Sequence, residues 1–515
     1  MVDTSLSVPP TTIDAIAASV KALSTSFHSG ATRDVKTRLK QLKQLRRMVN
    51  ENVQELQDAL YQDLRKPPAE TLIAELAPVR GEISLHEEEL ENWAAPERVW
   101  TNVANFPGHS CILREPLGVI CVISTWNCPI QLSLMPLVGA LSAGNCVLLR
   151  LPPDDTCVHT SKLLFKLVLK YMDSRFVRAV HGGILVTQVT LQQKFDLIFC
   201  TGAATTGKIV ATAAATTLTP TILVLGGKSP TIVDETCDIV VAARRITWAA
   251  FMNAGQMFLR PDYILVSAKV GDLLISALCK EITAFFGDDP QKSASFGRLL
   301  TQKCFDRVAT ILKQDAKYVV IGNEKDREDC FVAPTVLNFK KDLNAFASSG
   351  VMREEVFGPI LPVVYYDTLD EVVAFVKERE RSLALYLYSL DRKTRARFLT
   401  ETCSGSVCVN DSMVQSSNLN LPFGGVGASG IGSYHGKYSF DAFSHKKSVL
   451  TKYTMMDLPH RYMPYNKSKT KMMLLLLKPL PSTLIAIVAY AFISLGFVIM
   501  GLGLQYFRGQ AIIDE

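Results

Sequence analysis

The residues from Gly202 to Gly207 read GAATTG and follow a short apolar run, Phe195-Asp196-Leu197-Ile198-Phe199. A glycine turn that ends a strand and opens a helix points backbone N–H groups outward, where they can meet a phosphate or another anion. Alone, this hexapeptide fits a plain strand-to-helix turn equally well. Asn127 stands just before Pro129 at the end of another β-prone run, where an Asn can either cap a helix or present its amide to a ligand. The twelve cysteines are scattered, without a CxxC pair or a His/Cys cluster at zinc spacing. No metal is therefore expected, and the thiols read as free in a reducing, cytosol-facing compartment.

The elements that must carry these residues follow a simple alternation. Gly118-Val119-Ile120-Cys121-Val122-Ile123, Cys146-Val147-Leu148-Leu149 and Thr221-Ile222-Leu223-Val224-Leu225 are further continuous apolar runs. Helical stretches lie between them, including residues 132–141. Buried strands separated by helices predict an α/β fold, a parallel sheet wrapped on both faces. Residues 35–65 show apolar positions at helical spacing with charges between, an amphipathic helix or pair.

Several motifs occur in one order along the chain. Asp63-Leu64-Arg65-Lys66-Pro67, Glu115-Pro116-Leu117-Gly118-Val119 and Thr125-Trp126-Asn127-Cys128-Pro129 come first. Leu225-Gly226-Gly227-Lys228-Ser229-Pro230 and Glu354-Glu355-Val356-Phe357-Gly358-Pro359 follow, then Leu421-Pro422-Phe423-Gly424-Gly425 and Tyr434-His435-Gly436-Lys437. Over residues 22–466 the chain resembles the aldehyde dehydrogenase superfamily, in its class 3 or fatty aldehyde dehydrogenase branch.

That resemblance implies a chemistry. A cysteine thiolate attacks the aldehyde carbon, and an Asn amide with the nucleophile's own N–H holds the oxyanion. Hydride passes to nicotinamide, and a glutamate activates water against the thioester. Carried onto this sequence, Asn127 is the oxyanion residue. Phe258 stands where the family has its cysteine, and Val224 where it has its glutamate, LELGGK becoming LVLGGK. A benzyl group and an isopropyl group can do neither job. The resemblance assigns NAD or NADP to Trp126, Arg150, Gly202, Ala203, Gly207, Gly226, Lys228, Glu355 and Phe357. Arg150-Leu151-Pro152-Pro153 replaces Lys-Pro-Ser-Glu, with the charge kept at Arg150 and the acid lost at Pro153. Such a site would tolerate NADP as well as NAD.

The expected architecture is a Rossmann-like cofactor domain with N-terminal helices over residues 1–225 and a catalytic-type α/β domain over 226–425. Residues 426–465 return to the cofactor domain. A small β oligomerisation element comes from strands near 99–114 and 445–460. A basic linker, 466–483, leads to a C-terminal transmembrane helix over 484–507. That last stretch holds no charged residue, and its length spans ~36 Å as a helix against a ~30 Å hydrocarbon core. Arg461, Lys467, Lys469, Lys471 and Lys478 precede it, and only eight residues follow. This predicts a single-pass tail anchor that keeps the large domain in the cytosol, on the endoplasmic reticulum, the mitochondrial outer membrane or the peroxisome.

The chain is 48% hydrophobic and 20% charged with a net charge of +6, which suits a folded globular protein. No basic stripe interleaved with aromatics appears elsewhere, and nucleic acid is not an expected partner. Partners expected from the resemblance are a second copy of the chain, or an active paralogue in a mixed dimer, and a hydrophobic aldehyde of long-chain or isoprenoid type. Three functions follow. One is an impaired homologue that binds nucleotide, partner or aldehyde without oxidising it. Another is an active dehydrogenase with an unseen nucleophile, for which Cys128 is the candidate. The third is a non-catalytic membrane scaffold.

Overall fold

The computed structural model describes residues 9–153, 156–455 and 457–479. It divides into two compact units, Met1–Ala95 with Arg114–His445, and Pro96–Leu113 with the chain after Lys446.

The first unit holds two sheets. One has six strands in the order Gly430–Ile431, Thr221–Leu225, Leu197–Gly202, Val119–Ile123, Cys146–Arg150, Val177–Val180. All pair in parallel except Gly430–Ile431, which runs antiparallel to Thr221–Leu225. The expected parallel sheet is present, and its strands are buried along nearly their whole length. From Val119–Ile123 the chain moves outward through two strands, then returns to build the other side from Leu197–Gly202. The point of reversal leaves a crevice at the carboxyl ends of these two central strands, where ligands bind in open α/β sheets.

The second sheet has seven strands, ordered Val319–Ile321, Thr335–Asn338, Ile360–Tyr366, Tyr263–Ser267, Pro230–Val233, Ala384–Tyr388, Ser406–Val409. It too is parallel except at the Val319–Ile321 edge. Position 258 lies between the helix Ile239–Phe251 and the strand Tyr263–Ser267. The amphipathic stretch over 35–65 forms two helices, Val35–Glu51 and Val53–Leu64. Asp34 caps the first, accepting from the N–H groups of Lys36 and Thr37.

Most of the second unit's strand residues belong to a three-stranded sheet of Glu97–Val99, His109–Pro116 and Ser444–Thr451. Residues 466–483, expected as a linker, instead include a helix, Lys467–Leu477, with Asn466 as its N-cap. No helix among the described residues is long and apolar enough to cross a membrane, and the predicted span over 484–507 lies outside them.

Candidate active site

A cleft of about 630 Å3 opens at the crevice of the six-stranded sheet. Its walls include Trp126 and Asn127 after one central strand and Thr201–Thr205 after the other. Gly226, Gly227, Lys228, Phe258, Glu355 and Phe357 also line it.

The turn carrying Asn127 and the loop carrying Phe258 hold each other. The Asn127 amide Nδ2 donates to the Gln256 carbonyl at 3.2 Å, and Asn253 Nδ2 donates to the Asn127 carbonyl at 2.9 Å. Asn253, Ala254 and Gly255 have φ of 52°, 50° and 72°, three successive left-handed residues. Such a conformation at a non-glycine residue costs on the order of 1–2 kcal/mol and persists only when its surroundings impose it. Glu70 supplies part of that restraint, its Oε2 accepting the Asn253 N–H at 2.9 Å. Gly255 has no alternative residue, because a Cβ there would lie 2.3 Å from the Gly358 carbonyl oxygen.

The ring of Phe258 forms part of the cleft wall and is 8% exposed, with Phe423 at 6.3 Å between ring centroids. Val224 is 1% exposed in its strand, paired in register with Thr201 and Gly430. Cys128 is wholly buried and donates its S–H to Met257 Sδ at 3.4 Å. Burial pushes its thiol up to about 12, against the pull of Lys66. Such a group is an inert thiol rather than a nucleophile.

Glu355 is half-buried, and its carboxyl lies at this cleft. Its Oε2 accepts the Gly227 N–H at 3.2 Å, while Oε1 has no hydrogen-bond partner in the structure. Burial, with Asp262 nearby, raises its carboxyl to about 8. The missing side chain at Gly226 makes room for it, since a Cβ there would sit 2.2 Å from Glu355 Oε2. Phe357 adopts φ 42° and stands edge-on to Trp126, ring centroids 5.5 Å apart. An orphaned carboxylate oxygen beside two glycines and an aromatic edge suits a sugar hydroxyl next to a flat heterocycle.

The structure gives three of the expected cofactor residues other work. The Arg150 guanidinium is buried, donating to the carbonyls of Gly182 at 2.8 Å and Gly183 at 3.1 Å and to Thr187 Oγ1 at 3.0 Å. Its charge is thus engaged by these carbonyls, which leaves the lost acid at Pro153 as the feature in favour of NADP as well as NAD. Gly207 serves packing: a Cβ there would meet Leu225 at 2.7 Å, so the glycine lets the helix Ala204–Ala215 close on the strand Thr221–Leu225. Lys228 lines the cleft, but its ammonium binds the Asp262 carboxylate and donates to the carbonyls of Val351 at 2.7 Å and Glu354 at 3.0 Å. Asp262 Oδ1 in turn accepts the Val356 N–H at 3.0 Å, so this pair fixes the segment bearing Glu355. Gly202 and Ala203 lie at the cleft, with Ala203 as N-cap of a helix that has no side-chain cap.

Two features escaped the sequence reading. Arg307, Arg353, Arg379 and Arg381 also line the cleft, and they come from separated segments that no spacing rule connects. Beneath the Asn127 turn lies a buried ionic group. Lys66 Nζ meets Glu75 Oε1 at 2.6 Å with both side chains fully buried, and also donates to the Asn127 carbonyl at 3.4 Å. Glu75 Oε2 accepts the N–H groups of Ile130 at 2.8 Å and Gln131 at 3.3 Å, capping the helix Pro129–Ser142.

Two outcomes follow directly. In a Gly226→Ala variant the new methyl displaces the Glu355 carboxylate, so nucleotide affinity should fall at least tenfold in an equilibrium titration while the fold survives. Burial raises Glu70 to about 7, partly offset by Lys66. A carboxyl raised on folding stabilises the protein at low pH, and that contribution is lost as pH climbs through about 7. Glu70→Gln should therefore lose less stability than the parent between about pH 5 and 8, by on the order of 2–3 kcal/mol in denaturant titrations.

Fold and cleft together define a two-sheet α/β protein with a dinucleotide-type crevice. The profile of the aldehyde dehydrogenase family matches residues 3–449, and the chain belongs to that family. Human aldehyde dehydrogenase family 3 member B1 is 42% identical over 464 residues, covering 90% of this chain and 97% of that protein. The 4,4'-diaponeurosporen-aldehyde dehydrogenase of Staphylococcus aureus is 38% identical over 445 residues, covering 86% of this chain and 95% of that one. The substrate-bound structure of Staphylococcus aureus AldH superposes with a TM-score of 0.87 at 37% identity, covering 90% of this chain and 99% of that chain. A Mycobacterium tuberculosis aldehyde dehydrogenase solved in complex with NAD+ shares the fold, with a TM-score of 0.77 at 24% identity, covering 87% of this chain and 92% of that chain.

Proposed function

We propose that this chain is a membrane-anchored aldehyde dehydrogenase homologue that retains a nicotinamide nucleotide cradle and is impaired in aldehyde oxidation. The observation that carries the reading is the Phe258 ring in the cleft wall, at the position where the resemblance puts the family's thiolate. Without a nucleophilic atom there is no hemithioacetal, and the ring fills space the aldehyde carbon would need. Val224 compounds the loss, because an isopropyl group cannot take a proton from water. Cys128 offers no rescue from a closed pocket beside Met257.

The nucleotide side fits better. Glu355 is the residue that would accept from a ribose hydroxyl, with Phe357 and Trp126 beside the nicotinamide and the amides of Ala203–Thr205 near the phosphates. NAD or NADP, when bound, would supply a hydride acceptor. The Asn127 amide spends one N–H on Gln256 and keeps another for a polarised carbonyl oxygen. A hydrophobic long-chain or isoprenoid aldehyde is the ligand class supported by the staphylococcal relative, whose name makes it a dehydrogenase of such a compound. The reading includes a dimer, either of two copies or with an active paralogue, and a tail anchor over residues 484–507.

Titration of the detergent-solubilised chain with NAD and NADP tests the cradle. Binding below millimolar concentration, weakened by Glu355→Gln and strengthened as pH rises through about 8, is the expected result. Absence of affinity for either dinucleotide would leave only a scaffold.

A further inference from the structure

The second unit concentrates the positive charge of the molecule. Residues 96–113 and 446–479 carry nine lysines and arginines against two carboxylates, a surplus of seven that exceeds the +6 of the whole chain. Large apolar side chains are exposed near the C-terminal helix of this unit, among them Met463 and Tyr465. The helix Lys467–Leu477 sorts its residues by end rather than by side. Its first turns bear Lys467, Lys469 and Lys471, and its last four residues are leucines, of which Leu474 and Leu475 are 66% and 65% exposed.

A helix meant to lie flat on a membrane separates polar and apolar residues around its circumference. One sorted along its axis suits a steep approach, basic end among headgroups and apolar end toward acyl chains. Lys467, Lys471 and Leu474 fall at i, i+4 and i+7, on one face. Together with Tyr465, Asn466 and Thr470 they line a shallow groove of about 560 Å3. Lys469 is committed elsewhere, donating to the carbonyls of Tyr462 and Pro464, each at 3.1 Å. The groove thus offers two ammonium groups, hydroxyls and an apolar end. Six residues separate the end of this helix from the uncharged stretch 484–507.

We propose that this groove and helix form a docking face for anionic phospholipid, seating the second unit on a negatively charged bilayer independently of the apolar tail. The occupant is the membrane surface rather than an acidic protein, because leucines at the helix end have no use in a purely ionic contact. Each lysine near such a surface contributes about fivefold in affinity, an effect that salt screens.

The test uses the full chain in nanodiscs of phosphatidylcholine, or of phosphatidylcholine mixed with phosphatidylserine, followed by hydrogen exchange of the segment 462–478. Exchange should slow at least fivefold only in discs containing phosphatidylserine, and salt or the Lys467→Gln/Lys471→Gln variant should reverse it. Equal exchange in both discs would overturn the proposal, as would equal protection by a soluble acidic polypeptide. Co-elution of the chain with neutral discs reports the tail anchor separately. Failure of the anchor and failure of the docking face therefore give different results.

Discussion

Phe258→Cys combined with Val224→Glu should turn the chain into an aldehyde dehydrogenase that releases NADH from a long-chain aldehyde and NAD. Removing the ring opens cleft volume beside Asn127 and puts a thiol on a loop already fixed by Asn253, Gln256 and Glu70. Glu355, Gly226 and Phe357 remain where a nucleotide would meet them. Phe258→Cys alone should give a burst of acyl-enzyme that turns over slowly, because nothing at position 224 activates water. Adding the glutamate contributes the ~10²–10⁴-fold typical of a general base, so the double variant should exceed the single one by at least tenfold even in imperfect geometry. Val224 is nearly inaccessible in its strand, and a carboxylate there lowers stability. Activity and melting should therefore be read together. A folded, nucleotide-bound double variant that produces no NADH would mean the cleft departs from a dehydrogenase site at more than these two positions.

The second large effect concerns folding. Glu75→Ala removes the ion-pair partner of the fully buried Lys66, leaving Glu70 as the remaining acid that acts on it, and strips the cap from the helix Pro129–Ser142. Breaking one side of such a pair costs about 3–5 kcal/mol. The double substitution Lys66→Met/Glu75→Leu removes both charges and should recover most of that loss, retaining only the ~1 kcal/mol of the missing cap. Denaturant midpoints of the two variants check this. Equal destabilisation of both would mean that the ion pair itself, rather than the stranded charge, stabilises the Asn127 turn.

The framework of this protein was legible in its sequence for a definite reason. Runs such as Val119–Ile123 and Ile222–Leu225 are apolar at every position, a pattern that suits a strand covered on both faces. Motif order alone singled out residues 127, 258 and 355, which the structure brings to one cleft, and also Val224, which lies buried in its strand. Side-chain direction was not. Arg150 sits at the end of its strand as the motif suggests, yet its guanidinium finds two carbonyls more than thirty residues on, at Gly182 and Gly183. Lys228 likewise occupies the cleft wall but answers to Asp262. A cationic group goes where carbonyls and carboxylates converge, and that convergence is a property of tertiary structure. The Lys66–Glu75 pair escaped for the same reason: charges nine residues apart give no sign of being buried together.

The most direct measurement incubates the unaltered full chain with a long-chain aldehyde and NAD, following absorbance of NADH and the intact mass of the protein. No NADH above background and an unchanged mass are the expected results. A mass increase equal to the acyl group, on any residue, would contradict the proposed impairment.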